Sequence, residues 1–276
     1  MGTIIERLIA SRSTQELIQL ALKEEDNDTV WNYVAALQFR GDREVLDAAT
    51  KLCASRISEE RQLGANILGQ LGIPQRAFPE DSLAILLEML EKESDPLVIC
   101  AIGIALGHLE DARVVEPLLL LKNHLSVDVR FGVVYGLLGQ ENNCAIAALI
   151  QLSSDPDFDV RNWATFGLGS LIEIDTPAIR DALWQRLIQE DFNDSKTYEI
   201  YGEALVGLAN RKDERIVEPL IKELTSDIVG ELAIEAAEAM SDFRLYPALV
   251  ELQEWWDTDD GALKRAIENC CLPSEC

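Results

Sequence analysis

Asp157-Phe-Asp-Val-Arg-Asn-Trp-Ala-Thr-Phe-Gly-Leu-Gly169 decides the fold, because the chain returns to its pattern again and again. Val129-Arg-Phe-Gly-Val-Val-Tyr-Gly-Leu137 repeats its centre 31 residues earlier. A second motif pairs Asp111-Ala-Arg-Val-Val-Glu-Pro-Leu118 with Asp213-Glu-Arg-Ile-Val-Glu-Pro-Leu220. With Arg161 as position zero, the register falls on Val30, Arg61, Ile99, Arg130, Arg161, Tyr201 and Ala233, in steps of 31, 38, 31, 31, 40 and 32 residues. Self-similarity at such a period is the mark of a stacked repeat. The two long steps place extra loop residues around Pro74–Pro79 and Asp191–Ser195.

Each column of the register has a physical task. Position plus seven reads Leu37, Leu68, Leu106, Leu137, Leu168, Leu208 and Met240, a core-filling set. Position plus six reads Ala36, Ile67, Ala105, Gly136, Gly167, Gly207 and Ala239, where small residues let a neighbouring helix come close. Position minus two is acidic at Asp28, Glu59, Asp128, Asp159, Glu199 and Glu231, which suits the first turn of a helix with its unpaired N–H groups. No stretch alternates with period two between hairpin turns.

The pattern predicts seven helical hairpins. Asp42, Asp111 and Asp213 cap the first helices, and Pro117 and Pro219 sit in opening turns, where proline costs least. A pair of this kind buries its apolar face only against its neighbours, so the expected fold is all-α, an α-solenoid. The expected organisation is one solenoid over residues 1–276. Residues 1–27 form an N-terminal cap, 28–245 the repeats, and 246–276 a C-terminal cap and tail, with a last helix from Asp259 to Cys270.

Asp-x-x-Val-Arg-x-x-Ala-x-x-Gly-Leu-Gly, complete at Asp157–Gly169, resembles the HEAT-like repeat of phycobilin lyases and of many bacterial scaffold proteins. The resemblance covers about residues 28–250 and rests on structural positions. Ile99, Tyr201 and Ala233 replace the arginine, which concentrates any Asp–Arg ladder at Asp128, Arg130, Asp159 and Arg161.

Composition narrows the function. Of 276 residues 48% are hydrophobic, and 24 Lys and Arg face 49 Asp and Glu, a net charge of −25. Such a chain has enough apolar mass to fold, and its surface repels nucleic-acid phosphates and anionic membranes. It suits a basic partner. Met1–Ala10 has no signal-like apolar core, and six cysteines are too sparse for a secreted disulfide framework, so the expected compartment is the cytoplasm.

Chemistry is hard to find. The two histidines, His108 and His124, lie sixteen residues apart, unlike the repeated His–Glu pairs of helical-repeat hydroxylases of the deoxyhypusine type. Cys270, Cys271 and Cys276 have no second half-site for a metal. The expectation is no catalytic set, no metal and no cofactor.

The second helices offer one informative face. Positions plus one and plus five lie opposite the core and should be polar if they only met water. Instead they read Cys100 and Ile104, Phe131 and Tyr135, then Asn162 and Phe166, between polar or small residues at Gln62 and Asn66 and at Gly202 and Val206. Ile104, Phe131, Tyr135, Asn162 and Phe166 are thus the candidate partner-binding strip on the inner face of the repeat. The competing reading folds these aromatics back onto adjacent helices; Trp163, at plus two, is read as packing. The expected function is a non-catalytic protein–protein interaction scaffold or adaptor for a basic, apolar protein or peptide. The alternative that the resemblance implies is a bilin lyase subunit or chromophore chaperone, with Phe131, Tyr135, Phe166, Asp159, Arg130 and Arg161 as ligand contacts. Uptake of free bilin with a shifted absorption band separates the two.

Overall fold

The computed structural model describes residues 2–256 and 261–271, and these form helices with no strand among them. The chain divides into two compact units, residues 1–145 and 146–276. Unit 1 opens with α1 (Gly2–Ser11), followed by the pairs α2 (Thr14–Lys23) and α3 (Asn27–Arg40), α4 (Arg43–Cys53) and α5 (Ser58–Gly69), α6 (Pro79–Lys92) and α7 (Pro96–Leu109), and α8 (Val115–Leu119) and α9 (Val127–Leu137). The unit boundary falls inside α10 (Asn143–Leu152). Unit 2 continues with α11 (Phe158–Phe166), α12 (Pro177–Gln189), α13 (Tyr198–Asn210), α14 (Val217–Leu224), α15 (Glu231–Met240), α16 (Tyr246–Leu252) and α17 (Ala262–Cys270). The fold class is an all-α solenoid of helical hairpins, as the register predicts.

Helix starts follow the capping chemistry of the sequence. Asp42 accepts the Val45 N–H at 3.0 Å, and Asp157 accepts that of Val160 at 3.1 Å. Asp111 and Asp213 cap short 3-10 turns, Ala112–Val114 and Glu214–Ile216, that lead into α8 and α14. Each of these aspartates also grips the arginine two residues on: Asp111 holds Arg113 at 2.7 Å, and Asp213 holds Arg215 at 2.7 Å. Hydrogen bonds from Arg113 draw the Asp111 carboxyl down to about 2. Asp242-Phe-Arg-Leu-Tyr-Pro-Ala-Leu249 repeats the same device with Arg244, so α16 starts as the repeat helices do, and α17 packs on α15. The expected start of the last helix at Asp259 lies outside the described residues. So does Cys276.

The leucine column is the core. Leu37, Leu68, Leu106, Leu137, Leu168 and Leu208 are fully buried. Within unit 1 the most extensive packing joins α7 to α9. Its cause is the absence of side chains: a Cβ added at Gly132 would stand 2.8 Å from Cys100 Cα, and one at Gly136 would stand 2.9 Å from Gly103 O. In unit 2 a Cβ at Gly207 would stand 2.5 Å from Gly169 Cα. Helix α11 widens there into a π-helical turn, Gly167–Leu171. The buried Arg211 guanidinium supplies the donors this turn needs, to Leu168 O at 2.9 Å, Gly169 O at 3.1 Å and Ile172 O at 2.6 Å. Among the described residues no helix is long and apolar enough to cross a membrane.

One buried acid stands apart. Glu223 on α14 is 0% exposed. Its Oε1 accepts the Gly230 N–H at 3.4 Å, its Oε2 has no hydrogen-bond partner, and the Tyr198 and Tyr201 hydroxyls lie beside it. Burial raises its pKa to about 7 from 4.5. A carboxyl raised in this way stabilises the fold fully below its unfolded pKa, and that contribution fades as pH climbs through the folded value.

Two predictions follow from the interior. Leu137→Ala and Leu168→Ala should each cost about 2–5 kcal/mol through the cavity left behind, measured by denaturant unfolding; unchanged midpoints for both would remove the leucine column from the core. Glu223→Gln should flatten the loss of melting temperature between pH 5 and pH 8, with variant and parent converging near pH 5. Parallel curves across that range would show that Glu223 ionises freely.

Candidate functional site

The candidate residues lie on second helices, and burial shows what those helices leave open. Past their first turns, α5 and α9 are buried except at Arg61 and one row, Gln62, Asn66 and Gln70 on the first and Phe131 and Tyr135 on the second. Helix α7 opens at Cys100, Ile104 and His108, with Gly107 and Leu109 beside them. These are positions plus one, plus five and plus nine, an i, i+4 row on one side of each helix. The row begins on α3 with Trp31 and Phe39, 45% and 47% exposed.

Within unit 1 the candidates Ile104, Phe131 and Tyr135 are half-buried rather than laid open to water. Tyr135 packs against Phe131 with ring centroids 6.3 Å apart, and edge-on against His108 at 5.7 Å. The His108 Nε2 lies 3.0 Å from the Gln70 amide nitrogen, which can only donate, so that ring nitrogen accepts. Burial, then the nearby Arg76 charge, lowers the His108 pKa and keeps the ring neutral.

In unit 2 the opening at plus one moves to plus two, while Phe166 keeps plus five on α11. Asn162 is only 8% exposed and its Oδ1 has no hydrogen-bond partner. Trp163 and Phe166 take the half-buried places on α11, their rings edge-to-face at 5.7 Å. On α13 Gly202 and Val206 are buried, and Glu203 is open instead. Glu203 accepts the Ser170 hydroxyl at 3.0 Å, while burial raises its pKa.

The charged candidates serve the helix starts. Asp128 and Asp159 are exposed in the first turns of α9 and α11, and Asp128 accepts the Ser126 hydroxyl at 3.1 Å. Arg130 donates to His124 O at 2.9 Å, tying down the loop before its own helix. Arg161 does the same to Asp155 O at 2.8 Å and reaches Glu190, the residue ending α12, at 2.8 Å. Arg61 repeats that geometry with Glu93 at 2.6 Å after α6. Arg61 and Arg161 at position zero thus each pair with a glutamate at the end of the next hairpin's first helix, a partner too far along the chain for the motif to display. Trp31, Phe39, Gln70 and His108 extend the row beyond the strip that the sequence pattern marks; the plus-nine column and the weak register at Val30 are their signal.

Two further features complete the inventory. A cavity of about 520 Å³ opens in unit 1 between the ends of α4 and α6, lined by Cys53, Arg61, Ile85, Met89, Lys92 and Glu93 among others. Burial pushes the Cys53 thiol up to about 12, which makes it a poor nucleophile. Among the described residues no group of three or more His, Cys, Asp and Glu side chains is placed to hold a metal ion.

No family model matches the chain. By sequence it is similar to Protein YibA of Escherichia coli K12, 29% identical over 239 residues, covering 84% of this chain and 82% of YibA. The X-ray structure of YibA superposes with a TM-score of 0.76 at 25% identity, covering 98% of this chain and 96% of that one. An engineered protein matches at a TM-score of 0.53 and 20% identity over 96% of this chain and 79% of its own. CpcE and CpcF of a Nostoc phycocyanin lyase stand at a TM-score of 0.46 and 16% identity, covering 95% of this chain and 96% of theirs. The chain thus shares with YibA an all-α fold of stacked helical hairpins.

Proposed function

We propose that the protein is a non-catalytic scaffold or adaptor that binds another protein or a peptide on the open rows of its second helices. One observation carries the reading: helices buried almost everywhere else leave open a row rich in aromatic side chains, Phe131 and Tyr135 in unit 1, Trp163 and Phe166 in unit 2. Aromatic rings with part of their surface in water supply binding energy when a partner covers them. The charge of −25 supplies long-range attraction for a basic partner and repulsion for nucleic acid. Ile104, Phe131 and Tyr135 are the proposed contacts of unit 1 and Phe166 that of unit 2, while Asn162 is too buried to serve; Asp128 and Asp159 are the exposed acids that meet the partner's Lys and Arg.

The test measures melting and capture on the same variants. Tyr135→Ser removes a ring that packs on Phe131 and His108, so it should cost about 1 kcal/mol of stability. Phe166→Ser should cost a similar amount. At a temperature where both remain folded, each should lose proteins retained from native lysate, on the order of tenfold or more. Raising salt should slow association more than it speeds dissociation, because screening weakens steering first. Capture that survives both substitutions would remove the rows from the binding surface.

A further inference from the structure

The row in unit 1 has a chemistry of its own. Counting positions plus one, plus five and plus nine along α3, α5, α7 and α9, with Gln70 and Gly139 just past the ends of α5 and α9, gives twelve places, and none carries a charge. At the chain's overall 26% charged residues, about three of the twelve would. Trp31 and Phe39 stand at one end, Phe131 and Tyr135 at the other, with Gln62 and Asn66 between them on α5. These two amides are half-buried, and their side chains make no hydrogen bond among the described residues. Asn66 gives only its backbone oxygen, to the Gln38 side chain at 2.8 Å. Acids border the row at the starts of the same helices, where Asp28, Glu59 and Asp128 are exposed. The arginines of that edge are engaged: Arg61 with Glu93 and Arg130 with the carbonyls of His124 and Leu125.

Half-buried carboxamides need donors and acceptors from whatever covers them, since leaving them unpaired on burial is costly. A helical partner satisfies its backbone internally and offers only side chains. An extended strand of chain presents free N–H and C=O groups along its length. Four helices packed 8–10 Å apart span about 25–30 Å, the reach of about eight extended residues.

Resting on the scaffold reading, we propose that α3, α5, α7 and α9 of unit 1 form a track for one extended peptide segment of about eight residues. Its apolar anchors seat on the two aromatic ends, its backbone pairs with Gln62 and Asn66, and its Lys or Arg side chains meet the acidic edge.

The test is a selection of random dodecapeptides displayed on phage against the full-length protein, followed by binding of the synthesised winners. The expected winners carry two apolar anchors with Lys or Arg nearby. Their affinity should fall at least tenfold against Gln62→Leu with Asn66→Leu, and fall again when central backbone nitrogens of the peptide are N-methylated. The doubly substituted protein should melt within a degree or two of the parent, since neither amide is bonded inside it. Winners that are amphipathic helices, insensitive to the amide substitutions yet lost on Tyr135→Ser, overturn the extended track and leave the scaffold standing. Winners indifferent to Trp31→Ser, Tyr135→Ser and the amide substitutions alike, or no winners at all, overturn both.

Discussion

The contact between consecutive second helices at backbone distance is the constraint on which the rest depends. Where α7 meets α9, Gly132 lies against Cys100 and Gly136 against Gly103, so peptide planes touch without side chains between them. In unit 2 the same role falls to Gly169 and Gly207. Helices held this closely on both sides, with a first helix packed behind them, have little circumference left. That is why a helix such as α5, between α3 and α7 with α4 behind it, keeps one open row past its first turn.

In unit 1, charge is excluded from the body of the second helices and collects at their ends. Acids occupy first turns, where the helix dipole favours them; Arg61, Arg130 and Arg161 fasten the preceding loops, and Arg61 and Arg161 also reach the end of the next hairpin's first helix. The Arg61–Glu93 and Arg161–Glu190 pairs are mostly shielded from water, with Glu93 and Glu190 side chains 5% and 8% exposed. The Arg113–Glu80 pair is exposed on both sides and adds little by itself. A strongly acidic surface and an uncharged row in unit 1 therefore arise from one arrangement. In the proposed function, the first attracts a basic partner and the second gives it somewhere to bind.

Much of this is legible in the sequence because the repeat averages over its own noise. Leu137 and Leu168 announce the core, Asp111 and Asp213 the caps, and Gly136 and Gly207 the close approach. Rotation of a helix about its axis is less legible. A step of one residue turns the face by about 100°, and the wheel places Asn162 where the structure opens Trp163. Gly202 is similarly covered, with a Cβ there 2.9 Å from Leu232 Cβ. Asp242–Leu249 is hard to read as a further copy, since only its aspartate, arginine and final leucine match the earlier copies strictly. The Arg161–Glu190 pair spans 29 residues, and nothing local in the motif names its acid. The buried Glu223 is invisible for the same reason: its Tyr198 and Tyr201 neighbours come from another helix.

Thermal unfolding of Gly103→Ala tests the constraint directly. In an ordinary helix interior this change removes a flexible residue and stabilises by about 0.5–1 kcal/mol. Here the new methyl would run into Gly132 O on α9 and force the two helices apart. The melting temperature should therefore fall by several degrees. A rise, as helix propensity alone would give, would contradict the account that close backbone contact sets the stack.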